Sequence, residues 1–380
     1  MSQVELPGNG AAVVVNAGSS TLKVRVLGPA DTPGAALDID PWDGGAEHPE
    51  LADFLASVAD AEVVGHRVVH GGARFSEAVL IDDAVADAIA DLTDLAPLHQ
   101  PRAVAGISAA RRALPSTPQV ACFDTAFHAG LPPAAAQYAL PDAWTRRFGL
   151  RRFGFHGLSH GYAARRAAEL LGRDPAGLRV VTCHLGAGAS LAAVRGGRSV
   201  DTTMGFTPLE GLVMATRSGS VDPGLIMWLL QHGNLSIDEV ADGLEKSAGL
   251  AGLSRLPSGD MREVLHAADA GDEAAQLAFD VYVHRLRREI ASMAAAMDGL
   301  DVLVFTGGVG EHSPRVRAAA ADGLTFLGIS LDATQEGVST DADISGPGPV
   351  RVLVVSARED IEMSRQARAV LATQGTQVRG

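Results

Sequence analysis

The sequence predicts an α/β protein built from two related halves, each with a mixed β-sheet. Three observations carry this prediction. β-branched apolar runs alternate with segments of helical spacing along the chain. One short phrase typical of a β-hairpin occurs twice, at residues 13–23 and 180–191. The length of 380 residues exceeds what one hydrophobic core comfortably holds, which favours two domains.

The repeated phrase reads VVVNAGSSTLK in its first copy and VVTCHLGAGASL in its second. A β-branched run, a turn of small residues and a second apolar run predict a strand, a tight turn and a returning strand. Backbone N–H groups in such a turn can converge on an anion because no side chain blocks the approach. Two distant copies therefore indicate a phosphate-bearing ligand between two related half-molecules.

Further elements are predicted in the first half of the chain. Pro, Gly and Asp without periodicity predict a loop or irregular excursion at residues 28–50. A buried run at 63–69 predicts a strand leading into a glycine turn, and helical spacing after Asp-rich starts predicts helices at 81–95 and 102–114. An apolar run predicts a strand at Gln119–Phe123, and residues 160–171 predict a helix.

The second half repeats the alternation of strands and helices. Apolar runs predict strands at residues 178–184, 301–306 and 350–356. Helical periodicity predicts helices at residues 221–232, 236–247, 272–297, 314–322 and 359–373. Because hairpins precede the crossover helices, we expect mixed sheets rather than purely parallel ones.

Composition excludes several classes of partner. The formal net charge of −14 disfavours nucleic acid and anionic membrane surfaces, which require a basic surface, but it permits a nucleotide in a locally basic cleft. The two cysteines, Cys122 and Cys183, end apolar runs and are expected to be buried thiols in a reducing cytoplasm. We expect no signal peptide and no membrane-spanning segment.

Three glycine turns follow predicted strands, at residues 16–23, 184–188 and 307–310. Open α/β sheets bind ligands at the carboxyl ends of their strands. The first turn lacks the spacing of a P-loop, so alone it fits a solvated hairpin as well as a phosphate site. The three together favour phosphate binding.

Two arginines and one aspartate stand at informative positions. Arg67 lies within an apolar strand, where it serves either an internal ion pair or a clamp for a carboxylate or phosphate. Arg217 lies in a loop ahead of a helix and by itself fits a surface position. Asp124 directly follows a strand, where it either caps a helix or orients a reacting group.

Histidines and a late carboxylate complete the set. His99, His156, His160 and His184 lie in loops or at element ends and suit hydrogen bonding to phosphoryl oxygens. His156 and His160 have zinc-helix spacing, but Gly157 replaces the glutamate of that motif and disfavours helix. Glu359 either complements a helix dipole or binds Mg²⁺. Taken together, these groups fit phosphoryl transfer, which depends on positioning, a metal and positive charge.

Seven motifs in order resemble the acetokinase family, in the superfamily of sugar kinases, heat-shock chaperones and actin. They are NAGSSTLK (16–23), GHRVVHGG (65–72), LAPLH (95–99), FDTAFH (123–128), GFHGLSH (154–160), MGFTPLEG (204–211) and GVGE (308–311). The resemblance implies two ribonuclease-H-like (actin-like ATPase) domains related by duplication, with a central cleft. It places the N-terminal domain at residues 1–150, closed by the helix 360–380. The nucleotide-binding and dimerisation domain spans 151–359, in a cytoplasmic homodimer to which helix 272–297 could add apolar surface.

The resemblance implies the reversible reaction of ATP and acetate to ADP and acetyl phosphate, by direct in-line transfer with Mg²⁺ or, alternatively, Mn²⁺. The implied catalytic residues are Asp124, His156 and Arg217, and the implied metal ligands are Asn16 and Glu359. Acetate would be bound by Arg67, Val69, Leu98, His99, Phe155 and Pro208. The implied nucleotide contacts are Lys23, His184, Leu185, Gly186, Ala187, Gly188, Asp260, Met261, Arg262, Gly308, Val309, Gly310, Glu311 and His312.

Four positions depart from the family pattern. Ala187 and Ala189 stand where the nucleotide turn usually carries Asn and Ser, and His312 stands for Asn. Arg358 precedes Glu359 where the family has an uncharged residue. These departures concern nucleotide affinity and donor preference. Two alternatives stay open, a kinase for propionate or another short acyl chain and a nucleotide-binding sensor that no longer turns over.

Overall fold

The computed structural model describes residues 10–18, 21–42, 44–45, 48–97, 99–335 and 337–377, with side chains up to residue 374. The chain divides into two compact units. Unit 1 comprises Met1–Ala129, Phe155–Tyr162 and Arg358–Gly380, and unit 2 comprises Gly130–Gly154 and Ala163–Ala357. Within the described ranges, no helix combines the length and apolar character needed to cross a bilayer.

The strands, in chain order, are β1 (Ala12–Ala17), β2 (Leu22–Leu27), β3 (Pro33–Ile39), β4 (Val63–Val68), β5 (Val79–Leu80), β6 (Gln119–Phe123), β7 (Arg179–Leu185), β8 (Ala189–Arg195), β9 (Arg198–Thr202), β10 (Val302–Thr306), β11 (Ala342–Asp343) and β12 (Arg351–Val354). The helices are α1 (Pro49–Ser57), α2 (Asp83–Ala90), α3 (Gln100–Ala113), α4 (Pro133–Ala136), α5 (Asp142–Phe148), α6 (Gly157–Leu170), α7 (Pro223–His232), α8 (Ile237–Lys246), α9 (Gly249–Ser254), α10 (Met261–Asp269), α11 (Glu273–Ala295), α12 (Gly307–His312), α13 (Pro314–Asp322) and α14 (Glu359–Gln377).

The two units contain sheets of the same design. Unit 1 has the strand order β3-β2-β1-β4-β6-β5, and unit 2 has β11-β12-β10-β7-β8-β9, which read in reverse is the same pattern. In each unit an antiparallel meander opens the sheet, and three central strands run parallel. The α/β class, the mixed sheets and the duplication expected from the repeated hairpin are therefore confirmed.

The central strands of unit 1 are apolar over most of their length because helices cover both faces of the sheet. Val13 and Val15 of β1 pack with the side of the sheet that buries Leu55 of α1 and Ala110 of α3. Val14 of the same strand packs on the other side, with residues of α14 such as Met363. A strand buried on both faces reads as a continuous apolar run, which is why β1 carried a clear sequence signal.

Most elements lie close to their predicted places, and β6 matches its prediction at both ends. The prediction of irregular chain at residues 28–50 is wrong, because β3 pairs with β2 as an edge strand and α1 begins at Pro49. The third glycine turn is also wrong in form, since Gly307–His312 is a short helix, α12. The predicted helix at 81–95 is shorter, as α2 ends at Ala90 and a 3₁₀ turn follows at Thr93–Leu95.

Candidate active site

The edge of the unit 1 sheet gathers the first set of predicted residues. Asn16 lies near the end of β1, Arg67 near the end of β4, and Asp124 directly after β6. These three strands are parallel neighbours, so their carboxyl ends meet at one edge. Glu359 begins α14, which packs on the same three strands.

Arg67 is the centre of this cluster. Its Nε and Nη2 donate to the Oδ2 atom of Asp124 at 3.1 and 2.7 Å, and its Nη1 donates to the Oδ1 atom of Asn16 at 3.2 Å. The Glu359 carboxylate lies 3.8 Å from Nε of Arg67. The amide of Asn16 donates to Glu359 at 3.1 Å, which closes a ring of three side chains, with Asp124 attached to it through Arg67. The internal ion pair expected for Arg67 is therefore present.

The electrostatics of the cluster follow from burial. Asp124 is 1% exposed, and this burial raises the pKa of its carboxyl to about 6, although the Arg67 guanidinium opposes the shift. Burial alone would lower the pKa of Arg67. The carboxylates of Asp124 and Glu359 outweigh this effect and raise that pKa above its ordinary value. Near neutral pH the cluster thus holds a permanent cation beside an ionised carboxylate.

A second group of predicted residues in unit 1 lies around Phe155 and His156. Phe155 is 1% exposed, its carbonyl accepts a hydrogen bond from Nε2 of His128 at 3.1 Å, and its ring meets that of His70 edge-on. Val69 is also buried, directly after β4. His156 has a φ of +55°, a left-handed conformation that non-glycine residues rarely adopt and that is frequent at functional sites.

Other predicted residues of unit 1 have simpler positions. Lys23 is exposed on β2 and pairs with Asn16, so both side chains point to the same face of the sheet. His99 precedes α3 as its N-cap residue, without a side-chain capping bond. Leu98 lies outside the described residues.

In unit 2, the second hairpin and α12 meet at one sheet edge. His184 of β7 is the register partner of Thr306 of β10, so the turn after β7 and the helix after β10 are neighbours. A β-carbon on Gly307, whose φ is +78°, would lie 2.8 Å from the carbonyl oxygen of Leu185. Only glycine allows this approach, which explains the local sequence of the predicted nucleotide turn.

The long segment between β9 and α7 reaches the same turn. The N–H of Ala215 donates to the carbonyl of Ala187 at 3.0 Å. Arg217 is partly buried, and its Nη1 donates to the carbonyl of Pro208 at 3.2 Å, so it is not the free surface residue that its loop position suggested. Burial lowers the pKa of Arg217 from its ordinary value, while Glu245 opposes that shift.

The remaining predicted contacts lie on α10 and α12. Asp260 is the N-cap of α10, where it accepts from the N–H of Arg262 and pairs with the exposed Arg262 guanidinium. The side chain of Met261 is 3% exposed. On α12, Gly308 and His312 are exposed, Val309 is half-buried and Gly310 is buried. Glu311 is 9% exposed and accepts from the N–H of Ala357 at 3.0 Å.

The positions that depart from the family pattern have clear surroundings. Ala187 is exposed at the tip of the turn, whereas Ala189 is fully buried in β8, in register with Leu185. Arg358 forms an ion pair with Asp360 at 2.9 Å. The extra cation beside Glu359 is therefore balanced locally.

Some structurally important residues carried no sequence signal. Arg317 is 1% exposed and donates to the carbonyls of Gly310 and Glu311 at the end of α12. Arg152 binds the segment that carries Pro208, through the carbonyls of Thr203 and Met204. Buried arginines that satisfy backbone carbonyls depend on tertiary contacts, so neither could be found from local pattern.

Duplicated mixed sheets, an arginine–carboxylate cluster in one unit and a glycine-rich turn in the other match the class predicted from the sequence, a phosphotransferase with two domains of related design. The model of the acetokinase family matches residues 49–365. The chain belongs to the acetokinase family.

Named relatives agree with this membership. An acetate kinase of Synechococcus sp. is 55% identical over 309 residues, with 81% of this chain and 76% of that protein covered. An acetate kinase of Desulfitobacterium hafniense is 44% identical over 385 residues and covers 92% and 96%. The crystal structure of Porphyromonas gingivalis acetate kinase has a TM-score of 0.87 at 35% identity, covering 95% of this chain and 100% of that one. A propionate kinase from Francisella tularensis has a TM-score of 0.87 at 34% identity with the same coverage.

Proposed function

We propose that this protein catalyses the reversible ATP-dependent phosphorylation of acetate to acetyl phosphate. The observation that carries the proposal is its similarity to acetate kinases along nearly the whole length of both chains. A coupled assay of ADP release, with acetyl phosphate trapped by hydroxylamine, tests it directly. ATP binding without acetyl phosphate formation would favour the sensor alternative instead.

Arg67 is proposed to bind the acetate carboxylate. Among the described residues, three of its five N–H groups donate to Asp124 and Asn16, so two remain for a substrate. A guanidinium held this way presents a fixed edge to a carboxylate. Asp124 orients Arg67 rather than acting as a strong base, because acetate is already ionised near neutral pH.

The methyl group of acetate is proposed to contact apolar side chains, of which Val69 and Phe155 are buried in unit 1. Pro208, half-buried in unit 2, is included by the family resemblance alone. His99 and Leu98 belong to the same proposed set. An additional methylene changes binding by only about 1–3 kcal/mol, so kcat/KM for acetate, propionate and butyrate decides the acyl preference.

Arg217 and His156 are proposed to stabilise charge that develops on the transferred phosphoryl group. The reaction proceeds in line, with an acetate oxygen attacking the γ-phosphorus and ADP leaving. A positioned cation that meets equatorial oxygens lowers the barrier without forming a covalent intermediate. The left-handed backbone of His156 is consistent with a precisely directed side chain.

The nucleotide is proposed to bind unit 2. The proposed contacts within this unit are the turn His184–Gly188, the segment Asp260–Arg262 and helix α12. Lys23 of unit 1 is included by the family resemblance alone. Because backbone N–H groups bind phosphate in such turns, the absence of polar side chains at Ala187 and Ala189 leaves phosphate binding intact. Comparison of ATP, GTP and pyrophosphate as donors tests whether the missing side chains have changed the preference.

Asn16 and Glu359 fit a Mg²⁺ ion that accompanies the nucleotide, with Mn²⁺ as the alternative. An amide oxygen and a carboxylate are hard ligands, and Mg²⁺ in phosphoryl transfer typically takes one or two protein ligands besides phosphate oxygens. Both residues contact Arg67, the proposed ligand of the acetate carboxylate, which supports this assignment. When bound, the ion would neutralise phosphate charge.

We also propose a homodimer that forms through unit 2, in the cytoplasm. The apolar residues of α11 are mostly buried inside that unit, whereas α7 exposes Leu225, Met227 and Trp228 at 46–56%. Such a patch is typical of an interface. Sedimentation analysis should give a dimer that Trp228→Arg dissociates, while Phe326→Arg, at a similarly exposed position outside α7, should not.

The domain boundaries at residues 150 and 359, and the closure of the first domain by helix 360–380, stay predictions. The compact units differ from them by assigning residues 130–150 to unit 2 and Phe155–Tyr162 to unit 1.

A further inference from the structure

We propose that Arg152, Glu210 and Tyr138 are positioning residues that set the acyl-chain selectivity and orient Arg217, through the loop of residues 203–220. This inference rests on the proposed function. All members lie in unit 2. The resemblance implies no role for any of them, although Glu210 lies in the MGFTPLEG motif.

The three side chains hold the first half of the loop, between residues 203 and 210. Arg152 donates to the carbonyls of Thr203 and Met204 at 3.3 and 3.0 Å and to the Glu210 carboxylate at 2.9 Å. Tyr138 donates to the other carboxylate oxygen of Glu210 at 2.7 Å and accepts from the N–H of Phe206 at 2.9 Å. Glu210 therefore joins an arginine and a tyrosine that are 58 and 72 residues away in the chain.

Gly205 shows how closely these groups pack. A β-carbon at this position would lie 1.9 Å from Oε2 of Glu210 and 2.2 Å from the Tyr138 hydroxyl. The carbonyl of Gly205 accepts from the N–H groups of Phe153 and Gly154 at 3.1 and 3.2 Å. Any side chain at residue 205 would therefore separate Tyr138 from Glu210.

The network is largely shielded from water. Arg152 is 16% exposed and Glu210 is 37% exposed, so their ion pair is screened less than a surface pair. Burial and the adjacent carboxylate raise the pKa of the Tyr138 hydroxyl, which keeps it a hydrogen bond donor.

The held segment leads directly to the proposed chemistry. Pro208 lies between Phe206 and Glu210, and its carbonyl accepts the hydrogen bond from Nη1 of Arg217. Gly211 and Ser220 close the loop, since the N–H of each donates to the other residue. If the network is broken, Pro208 and Arg217 must shift together. A shift of about 1 Å in such a group can cost on the order of 10²-fold in rate.

The test compares Tyr138→Phe, Glu210→Gln and Gly205→Ala with Arg179→Gln. The control variant Arg179→Gln breaks the partly exposed ion pair between Arg179, at the start of β7, and Asp301. For each variant, kcat and KM are measured with acetate and propionate, and thermal unfolding is recorded in parallel.

We expect kcat with acetate to fall about tenfold or more. We also expect the ratio of kcat/KM for acetate to that for propionate to change by about threefold or more, because the pocket wall at Pro208 moves. Arg179→Gln should leave this ratio unchanged. The ratio does not depend on the fraction of active protein, so a loss of stability alone cannot change it.

Wild-type ratios in Tyr138→Phe and Glu210→Gln would overturn the inference. Absence of acetate phosphorylation in the unaltered chain would instead overturn the proposed function, so the two failures are distinguishable.

Discussion

The N–H of Gly157 donates to the backbone carbonyl of Asp124 over 2.9 Å, and a β-carbon on Gly157 would lie 2.1 Å from that same oxygen. It would also lie 2.7 Å from the β-carbon of Phe127. Because His156 directly precedes Gly157, one backbone contact fixes two of the proposed catalytic residues relative to each other.

Gly157→Ala should therefore lower kcat by about tenfold or more, since Asp124 and His156 must separate to admit the methyl group. Gly161→Ala on the same helix is the matched control, because its β-carbon would meet only the edge of the Phe127 ring at 3.3 Å. Steady-state kinetics and thermal unfolding are measured for both. Equal kcat values for the two variants would contradict this role of Gly157.

Arg217→Ala should lose turnover by on the order of 10²–10³-fold, with only a modest change in the KM for acetate. The reason is that its proposed interaction strengthens as charge develops on the phosphoryl group. Arg195→Ala, which removes an exposed arginine of the same unit, should retain full activity. A near-normal kcat in Arg217→Ala would exclude the assigned role.

The activity should fall on the acid side with an apparent pKa of about 6, because burial raises the pKa of Asp124 to about 6. Below that pH the protonated carboxyl no longer pairs with Arg67. The pH profile of kcat/KM for acetate measures this limb. Residual activity of Asp124→Asn should lack it, and an unchanged limb in that variant would assign the titration to another group.

Folding stability should decrease as the pH falls below 6.5. Burial lowers the pKa of His66 and His128 to about 4 from 6.5. Between these pH values the two histidines are protonated in the unfolded chain but neutral in the folded chain. The stabilisation is complete above pH 6.5 and is lost as the pH falls toward 4. Asp124 acts in the opposite direction, since its raised pKa favours folding as the pH falls through 6.

Each of these two histidines should contribute about 2 kcal/mol of the change in unfolding free energy between pH 6.5 and about pH 5. Urea unfolding at both pH values measures it. His128→Gln, whose amide nitrogen takes the place of Nε2 and can still donate to the Phe155 carbonyl, should show a smaller change than the unaltered chain. His232→Asn, at an exposed position, should not. A pH dependence that is the same in all three proteins would refute the assignment.

Sequence pattern predicted the elements whose signals are local. Val13–Val15 and Gln119–Phe123 are continuous apolar runs because helices cover both faces of their sheet. The sequence did not predict the edge strand β3, because Pro33, Gly34 and Asp38 are residue types that are rare in strands. Its pairing with β2 is a tertiary contact. The sequence predicted a turn at helix α12 because of its glycines, but Gly307 is required by its close approach to Leu185 rather than by a turn.

The candidate site shows the same division. Asn16, Arg67 and Asp124 could be singled out because each follows or ends an apolar strand, which is a local feature. The hydrogen bonds that Arg67 makes with the other two depend on β1, β4 and β6 being neighbours. The order of strands in a sheet cannot be predicted from the local sequence of any one strand.

By itself, the sequence determined the α/β class, the duplication, the family and the residue types available for phosphoryl transfer, because periodicity and short motifs are local properties. Only the tertiary structure decided which groups meet. The contacts of Glu210 with Arg152 and Tyr138 join segments 58 and 72 residues apart. The approach of Gly157 to Asp124 likewise arises where β6 and α6 converge. Such contacts are set by the packing of whole elements, which fixes distances between side chains that the order of residues leaves open.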